Sequence, residues 1–201
     1  MKLLYTLTSP YARKVRIFAI EKQLDVEFQT VVLTDLNCPV KHHNPLGKVP
    51  VLIVNDDHSL YDSRVIVEYL DDCNSKFPLI PHDSLAKISV RRCEALADGI
   101  CDAAVAVVLE RRKPTQTQDQ KMLVKQMDKV TRGLTSLEHN LSGRIWCVND
   151  TFSLADIAVG CVLGYIHLRF DQSMLTHLPN LQKLYANLIQ RPSFIETMPN
   201  K

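Results

Sequence analysis

Ser9-Pro10 is the first place in the chain where residue type and position together suggest chemistry. The apolar segment Lys2-Leu3-Leu4-Tyr5 ahead of it reads as a buried strand. Behind it Val15, Phe18 and Ala19 recur at helical spacing, with Ile17 and Ile20 widening the apolar face. Ser9 therefore falls at a helix N-cap and Pro10 at the first helical position, where a missing N–H is no loss. A hydroxyl placed there sits in the positive field of the helix dipole, beside main-chain N–H groups with no partner inside the helix. Such a position can lower the pKa of a bound thiol or hold an anion. An ordinary helix cap would use the same two residues.

Two further stretches have the same character. Asn44-Pro45-Leu46-Gly47-Lys48 are turn residues that lead into the apolar strand Val51-Leu52-Ile53-Val54, and Pro50 stands where that strand begins. X-Pro is the one bond that readily adopts the cis form. A cis Val49-Pro50 would turn the N–H and C=O of Val49 outward to pair with an extended ligand, whereas a trans edge-strand proline would not. Asp62-Ser63 directly follows the short strand Ser59-Leu60-Tyr61 and precedes a helix marked by Val65, Ile66, Tyr69 and Leu70. A serine again stands at or beside a helix start, which suits a carboxylate as well as a cap.

Other groupings point to structure. Glu94, Asp98 and Asp102, spaced four apart, form an acidic stripe that reads as a solvated or interface surface and not as a metal site. Ser153 and Asp156 have the N-cap and N3 spacing of a capping box, which makes Asp156 a folding determinant and not a catalytic acid. The six cysteines include no C-x-x-C pair, and several sit in apolar helical patterns, so reduced thiols are expected. Seven histidines, His42 and His43 adjacent among them, make no zinc ligand set, and no metal is expected.

The elements that must position these residues divide the chain. Its 201 residues, 46% hydrophobic and 23% charged with a net charge of +2, have the composition of an ordinary globular protein without a general attraction to nucleic acid or membrane. No apolar run is long enough to span a bilayer, and the N-terminus lacks a signal-peptide layout, so a cytoplasmic location is expected. Residues 26–32 read as a second strand, completing a βαβ unit with parallel pairing. Residues 34–43, a polar segment that contains Cys38-Pro39, read as a loop with a short helix, and the short turn Asn55-Asp56-Asp57-His58 makes the last two strands antiparallel. Two prolines in Phe77-Pro78-Leu79-Ile80-Pro81 mark a linker. Beyond it the pattern is helical. One long helix runs through Cys93 to Val108 and a second carries the stripe Leu123, Val130, Leu134 and Leu137. After Ser153 a third is apolar on all sides and belongs at the centre of its domain, and a last one follows Pro179, with Phe194 anchoring the tail. The expected domains are 1–76, a linker at 77–85, and a helical domain at 86–201.

With Ser9, Val49-Pro50, Asp62-Ser63 and the Ser153–Asp156 box in this order and spacing, the whole chain resembles the cytosolic glutathione S-transferase superfamily. Bacterial members with a serine at the first helix are the nearest pattern. The resemblance implies an α/β, thioredoxin-like N-terminal domain (βαβαββα) that holds glutathione, followed by an all-α helical bundle domain. Ser9 matches the catalytic serine that donates a hydrogen bond to the glutathione sulfur. Val49 matches the residue whose backbone pairs with the cysteinyl part, with Pro50 structural. Asp62 and Ser63 match the pair that receives the γ-glutamyl end, and Lys48, with His43, would meet the glycine carboxylate. Glutathione is then a co-substrate, with no separate cofactor, and the second substrate is a small electrophile, in the manner of detoxification. Its pocket would lie between the Ser9 loop and the helices from about residue 86 to 112, with Tyr165 contributing. The family pattern also implies a homodimer, for which the acidic stripe with Arg91 and Arg92 could supply a two-fold contact. No cysteine stands at or beside residue 9, and Cys38 is far along the chain, so thiol–disulfide reductase activity is not expected. Two other outcomes share the pattern. One is a non-catalytic, regulatory protein similar to the stringent-starvation proteins, and the other is a glutathione-dependent isomerase or dehalogenase.

Overall fold

The computed structural model describes residues 1–199. The chain divides into two compact units, Met1–Ile80 together with the C-terminal segment from Arg191, and Pro81–Gln190. The first contains β1 (Lys2–Tyr5), α1 (Pro10–Glu21), β2 (Glu27–Thr30), α2 (Val40–His43), β3 (Val51–Asn55), β4 (His58–Leu60) and α3 (Ser63–Cys73), with α8 (Pro192–Glu196) from the end of the chain. The second contains α4 (Ser84–Arg111), α5 (Gln120–Asn140), α6 (Leu154–Arg169) and α7 (Pro179–Leu188). This is the α/β thioredoxin-like domain plus helical bundle that the resemblance implies.

The sheet order is β2-β1-β3-β4, with β1 and β2 parallel and the other two pairs antiparallel. β2 is shorter than residues 26–32. It has β1 as its one neighbour, and pairing runs only from Lys2 opposite Glu27 to Tyr5 opposite Thr30, because an edge strand extends no further than the strand it bonds to. Helices α1 and α3 pack together and bury Ala12, Val15, Phe18, Ala19, Ile66, Val67 and Leu70. Leu4, Cys38, Val40 and Val51 form an apolar cluster of their own.

The expected helical domain of 86–201 is cut short by the last helix. Residues 191–199 pack with the first unit, because Phe194 is fully buried there and Arg13 of α1 donates to its carbonyl at 3.2 Å. Arg191 reinforces this, donating twice to the Glu21 carboxylate at 2.8 and 2.6 Å, while Ser193 donates a third hydrogen bond to it. Burial alone would raise the Glu21 pKa, but the hydrogen bonds and charge of Arg191 and Ser193 outweigh it and hold the carboxyl below its ordinary value. A depressed folded-state pKa means that this contribution to stability is fully present above the glutamate's unfolded value and is lost as pH falls through the folded one. The melting temperatures of wild type and Glu21→Gln are therefore expected to converge on acidification below about pH 4.5 and to diverge above it.

In the helical unit α6 is the central element, buried at every residue from Leu154 to Ile166. Leu123, Val130, Leu134 and Leu137 of α5 form the buried stripe read from the sequence. The α4–α5 approach is close at Gly133, where a Cβ would stand 2.4 Å from Ile100 Cγ1, so only glycine fits without repacking. The acidic stripe on α4 is not uniformly solvated. Glu94 is 1% exposed and accepts from Arg91 at 2.8 Å, whereas Asp102 is exposed. A carboxylate so enclosed requires a cation, and an arginine one turn earlier supplies it.

Candidate functional site

The strand register gathers the three candidate stretches at one end of the sheet. Leu4 lies opposite Val51, so the end of β1 meets the start of β3, and Leu52 lies opposite Leu60, so β4 finishes where β3 begins. Ser9 follows β1, Val49-Pro50 precedes β3, and Asp62-Ser63 follows β4. Three segments scattered over more than fifty residues therefore open onto the same edge, each by a short connection.

Ser9 is the N-cap of α1, with extended backbone, and its Oγ accepts from the Ala12 N–H at 3.2 Å. Pro10 occupies the first helical position, so one of the helix's unpaired donors is absent by design of the sequence. The Ser9 side chain is half-buried, in contact with solvent and with the helix start. A hydroxyl carries one proton and two lone pairs. With one lone pair taken by Ala12, its proton can still be donated outward, in the field of a 12-residue helix.

The Val49-Pro50 bond is cis. The approach to it is fixed by Asn44, which is 3% exposed. Its Oδ1 accepts from Leu46 N–H at 3.0 Å, its Nδ2 donates to the Lys48 carbonyl at 2.9 Å, and its own carbonyl accepts from Gly47 N–H at 2.9 Å. Sequence reasoning passed over Asn44 as one turn residue among several, although an Asn-Pro at the head of a turn is the usual signal of such a side-chain bracket. The Asn44→Ala variant is expected to destabilise the native state by about 1–3 kcal/mol, because it leaves the Leu46 N–H and the Lys48 carbonyl without their side-chain partner. Urea denaturation with an unchanged m-value measures this. Lys48 itself is exposed, and His43 is half-buried with Nδ1 2.8 Å from Ser59 Oγ, which leaves one ring nitrogen for any ligand.

Asp62 is the N-cap of α3 and Ser63 is the first helical residue, 3% exposed. The Asp62 carboxylate accepts from the Arg64 N–H and from the Arg64 guanidinium, both at 3.0 Å. Burial would raise its pKa, but those hydrogen bonds, the Arg64 charge and the charge of Lys14 bring it below the ordinary carboxylate value. Asp62 is thus an ionised carboxylate, 55% exposed, beside a helix N-terminus whose first residue presents a hydroxyl. It can take a cation while the helix end takes an anion, which is the charge layout of an α-amino acid head group.

Lys14 was also missed. It is 1% exposed on α1, although a lysine is almost never fully buried without a partner. A signal existed: Arg13, Lys14 and Arg16 crowd the N-terminal half of a helix whose dipole disfavours cations there, and such residues need partners elsewhere. Arg13 finds them in the C-terminal segment, and Arg16 lies over the Tyr5 ring, 4.3 Å from its centroid.

The remaining candidates lie away from this edge. Ser153 and Asp156 form the expected capping box on α6. Cys38, 9% exposed, fills the apolar cluster beside β3. Tyr165 is a buried residue of α6 whose phenol burial pushes up in pKa, the charge of Arg169 acting the other way. All six cysteines are free thiols, and among the described residues no group of three or more His, Cys, Asp or Glu is placed to hold a metal. Among the described residues no helix is long and apolar enough to cross a membrane.

Comparison with known proteins places this chain in a family. Residues 3–76 match the family model of the glutathione S-transferase N-terminal domain, and residues 96–192 match that of the C-terminal domain. A crystal structure of a glutathione S-transferase from Methylobacillus flagellatus KT with glutathione bound is 57% identical and superposes with a TM-score of 0.97 over 99% of both chains. The GST-like protein YibF of Escherichia coli K12 is 38% identical over the full length of both chains. A probable maleylacetoacetate isomerase of Caenorhabditis elegans is 30% identical over 93% of this chain and 87% of its own.

Proposed function

This chain belongs to the glutathione S-transferase family, and we propose that it is a glutathione transferase in which Ser9 donates a hydrogen bond to the glutathione sulfur and favours its thiolate. The observation that carries this reading is the placement of Ser9. Its oxygen is engaged by Ala12 N–H at 3.2 Å, and its hydroxyl is held at a helix N-terminus on the sheet edge shared with Val49 and Asp62-Ser63. A thiolate is stabilised at a helix N-terminus. It then attacks a small electrophile, a carbon–sulfur bond forming as the leaving group departs or a double bond takes up the electron pair.

Each remaining residue binds and orients. The backbone of Val49 pairs with the cysteinyl part, Ser63 and the α3 N-terminus receive the γ-glutamyl carboxylate, Asp62 its ammonium, and Lys48 the glycine carboxylate. Support for glutathione as ligand comes from the Methylobacillus structure with glutathione bound. We propose 1–76 and 86–190 as the glutathione-holding and helical domains, in a cytoplasmic homodimer. Val65 and Tyr69, one turn apart on α3, are 48% and 36% exposed and would be covered by a second copy.

Retention on immobilised glutathione followed by a turnover assay over a panel of electrophiles tests the reading. Binding with turnover supports it. Binding with none returns the chain to the regulatory alternative, and failure to bind removes glutathione from its function.

A second reading, glutathione-dependent isomerisation, is favoured by the relationship to the Caenorhabditis elegans isomerase. The two differ in stoichiometry: conjugation consumes one glutathione per turnover, whereas isomerisation returns it. Free thiol measured during incubation with maleylacetoacetate separates them.

A further inference from the structure

The helical unit encloses a cavity of about 730 Å³ between α4, the end of α5 and the segment that leads to α6. Its walls include Arg92, His139 and Arg144, and no carboxylate is among its lining residues. Two cysteines open onto it, Cys93 of α4, half-buried, and Cys147, 8% exposed. Neither has a part in the reaction proposed above. Buried thiols usually serve as small hydrophobes. Reactive ones sit in cationic, partly open surroundings, as Cys93 does.

We infer that Cys93 and Cys147 are a dithiol switch, oxidised to a disulfide by glutathione disulfide, whose net negative charge suits the arginine-lined cavity. The two thiols interact with one another, and the main-chain N–H of Cys147 is anchored on Asp156 at 2.8 Å. Cys93, half-buried beside the cationic wall, is the more accessible of the two and reacts first, while the neighbouring Cys93, burial and the Asp156 charge push the Cys147 pKa up. The Cys93 sulfur attacks one sulfur of glutathione disulfide, the S–S bond breaks, and one glutathione leaves, taking up the proton. The Cys147 sulfur then attacks the mixed disulfide at Cys93, loses its proton, and expels the second glutathione. The two protein thiols lose two electrons and two protons in total, and glutathione disulfide gains both. The inference does not depend on the conjugation reaction. It joins α4 covalently to the segment ahead of the central helix, and so lets the cell's thiol balance act on the helical unit.

The experiment uses the full chain incubated with excess glutathione disulfide, quenched by alkylation, and mapped by peptide mass. The expected result is loss of two of the six thiols as a Cys93–Cys147 cross-linked peptide. Cys73, exposed and not among the residues that line this cavity, should react about tenfold more slowly or less. In Cys147→Ser, Cys93 should keep a glutathionyl group. Added salt should slow the wild-type reaction with glutathione disulfide, but not with the neutral disulfide of 2-mercaptoethanol. A wild-type pair that stays reduced, a mixed disulfide at Cys93 that never resolves in wild type, or modification of Cys73 as fast as Cys93 would each overturn the inference. The wild-type measurement needs no variant to fold.

Discussion

Ser9→Ala is expected to lower kcat/KM for conjugation about a hundredfold, equivalent to about 2.7 kcal/mol of transition-state stabilisation, with the KM for glutathione changed much less. The hydroxyl touches the sulfur and no other part of the tripeptide in the proposed arrangement, so its loss should appear as a weaker thiolate and not as weaker binding. The pKa of the bound thiol should rise by on the order of one to two units, read from the pH dependence of thiolate absorbance in the binary complex. The same substitution also removes a helix cap worth about 1 kcal/mol, and a second variant separates the two effects. Ser9→Asp keeps an acceptor for the Ala12 N–H, so α1 stays capped, but it replaces the donor with a negative charge facing the sulfur. It should be more stable than Ser9→Ala and less active. If activity instead followed stability across the two variants, Ser9 would be a cap and nothing more.

Asp156→Ala is expected to destabilise the native state by about 3–5 kcal/mol. The carboxylate is fully buried and accepts from Cys147 N–H at 2.8 Å, Ser153 N–H at 2.9 Å and Ser153 Oγ at 3.2 Å. Removing it leaves three buried donors without partners at the start of a helix that has no exposed face to supply water. Asp156→Asn keeps one acceptor of the same shape and should lose roughly half as much. Urea denaturation with an unchanged m-value measures both. Glutathione turnover per folded molecule should hold in either variant, since the box belongs to the helical unit's core; a variant that kept full stability and lost turnover would move Asp156 into the reaction.

These two residues show where the sequence is readable. Ser9 followed by Pro10, and Ser153 followed three residues later by Asp156, each announce a helix start through interactions confined to one turn, and the structure has both caps as read. The buried character of α6 was equally legible, because a helix with no polar face has nowhere to lie but the centre. Lys14 and Glu94 went the other way. Each is a charged residue in a helical pattern, which sequence reasoning assigns to solvent, and each is 1% exposed. For Lys14 the compensating charge comes from another element, the Asp62 end of α3, and periodicity carries no record of that. The C-terminal helix is a further case. Phe194 was readable as an anchor, but not that its berth is α1, at the opposite end of the chain.

What the sequence determined by itself was the identity and order of the elements, the serine and aspartate caps, and the proline ahead of β3, since each rests on forces acting within a few residues. What the tertiary structure decided was the convergence: strand register brings Ser9, Val49 and Asp62-Ser63 to one sheet edge, and Asn44, Arg64 and Lys14 set the loop and the charge around them. The physical reason is range. A cap satisfies donors one turn away, whereas register is fixed by hydrogen bonds between strands almost fifty residues apart, and those exist only once the chain has closed on itself.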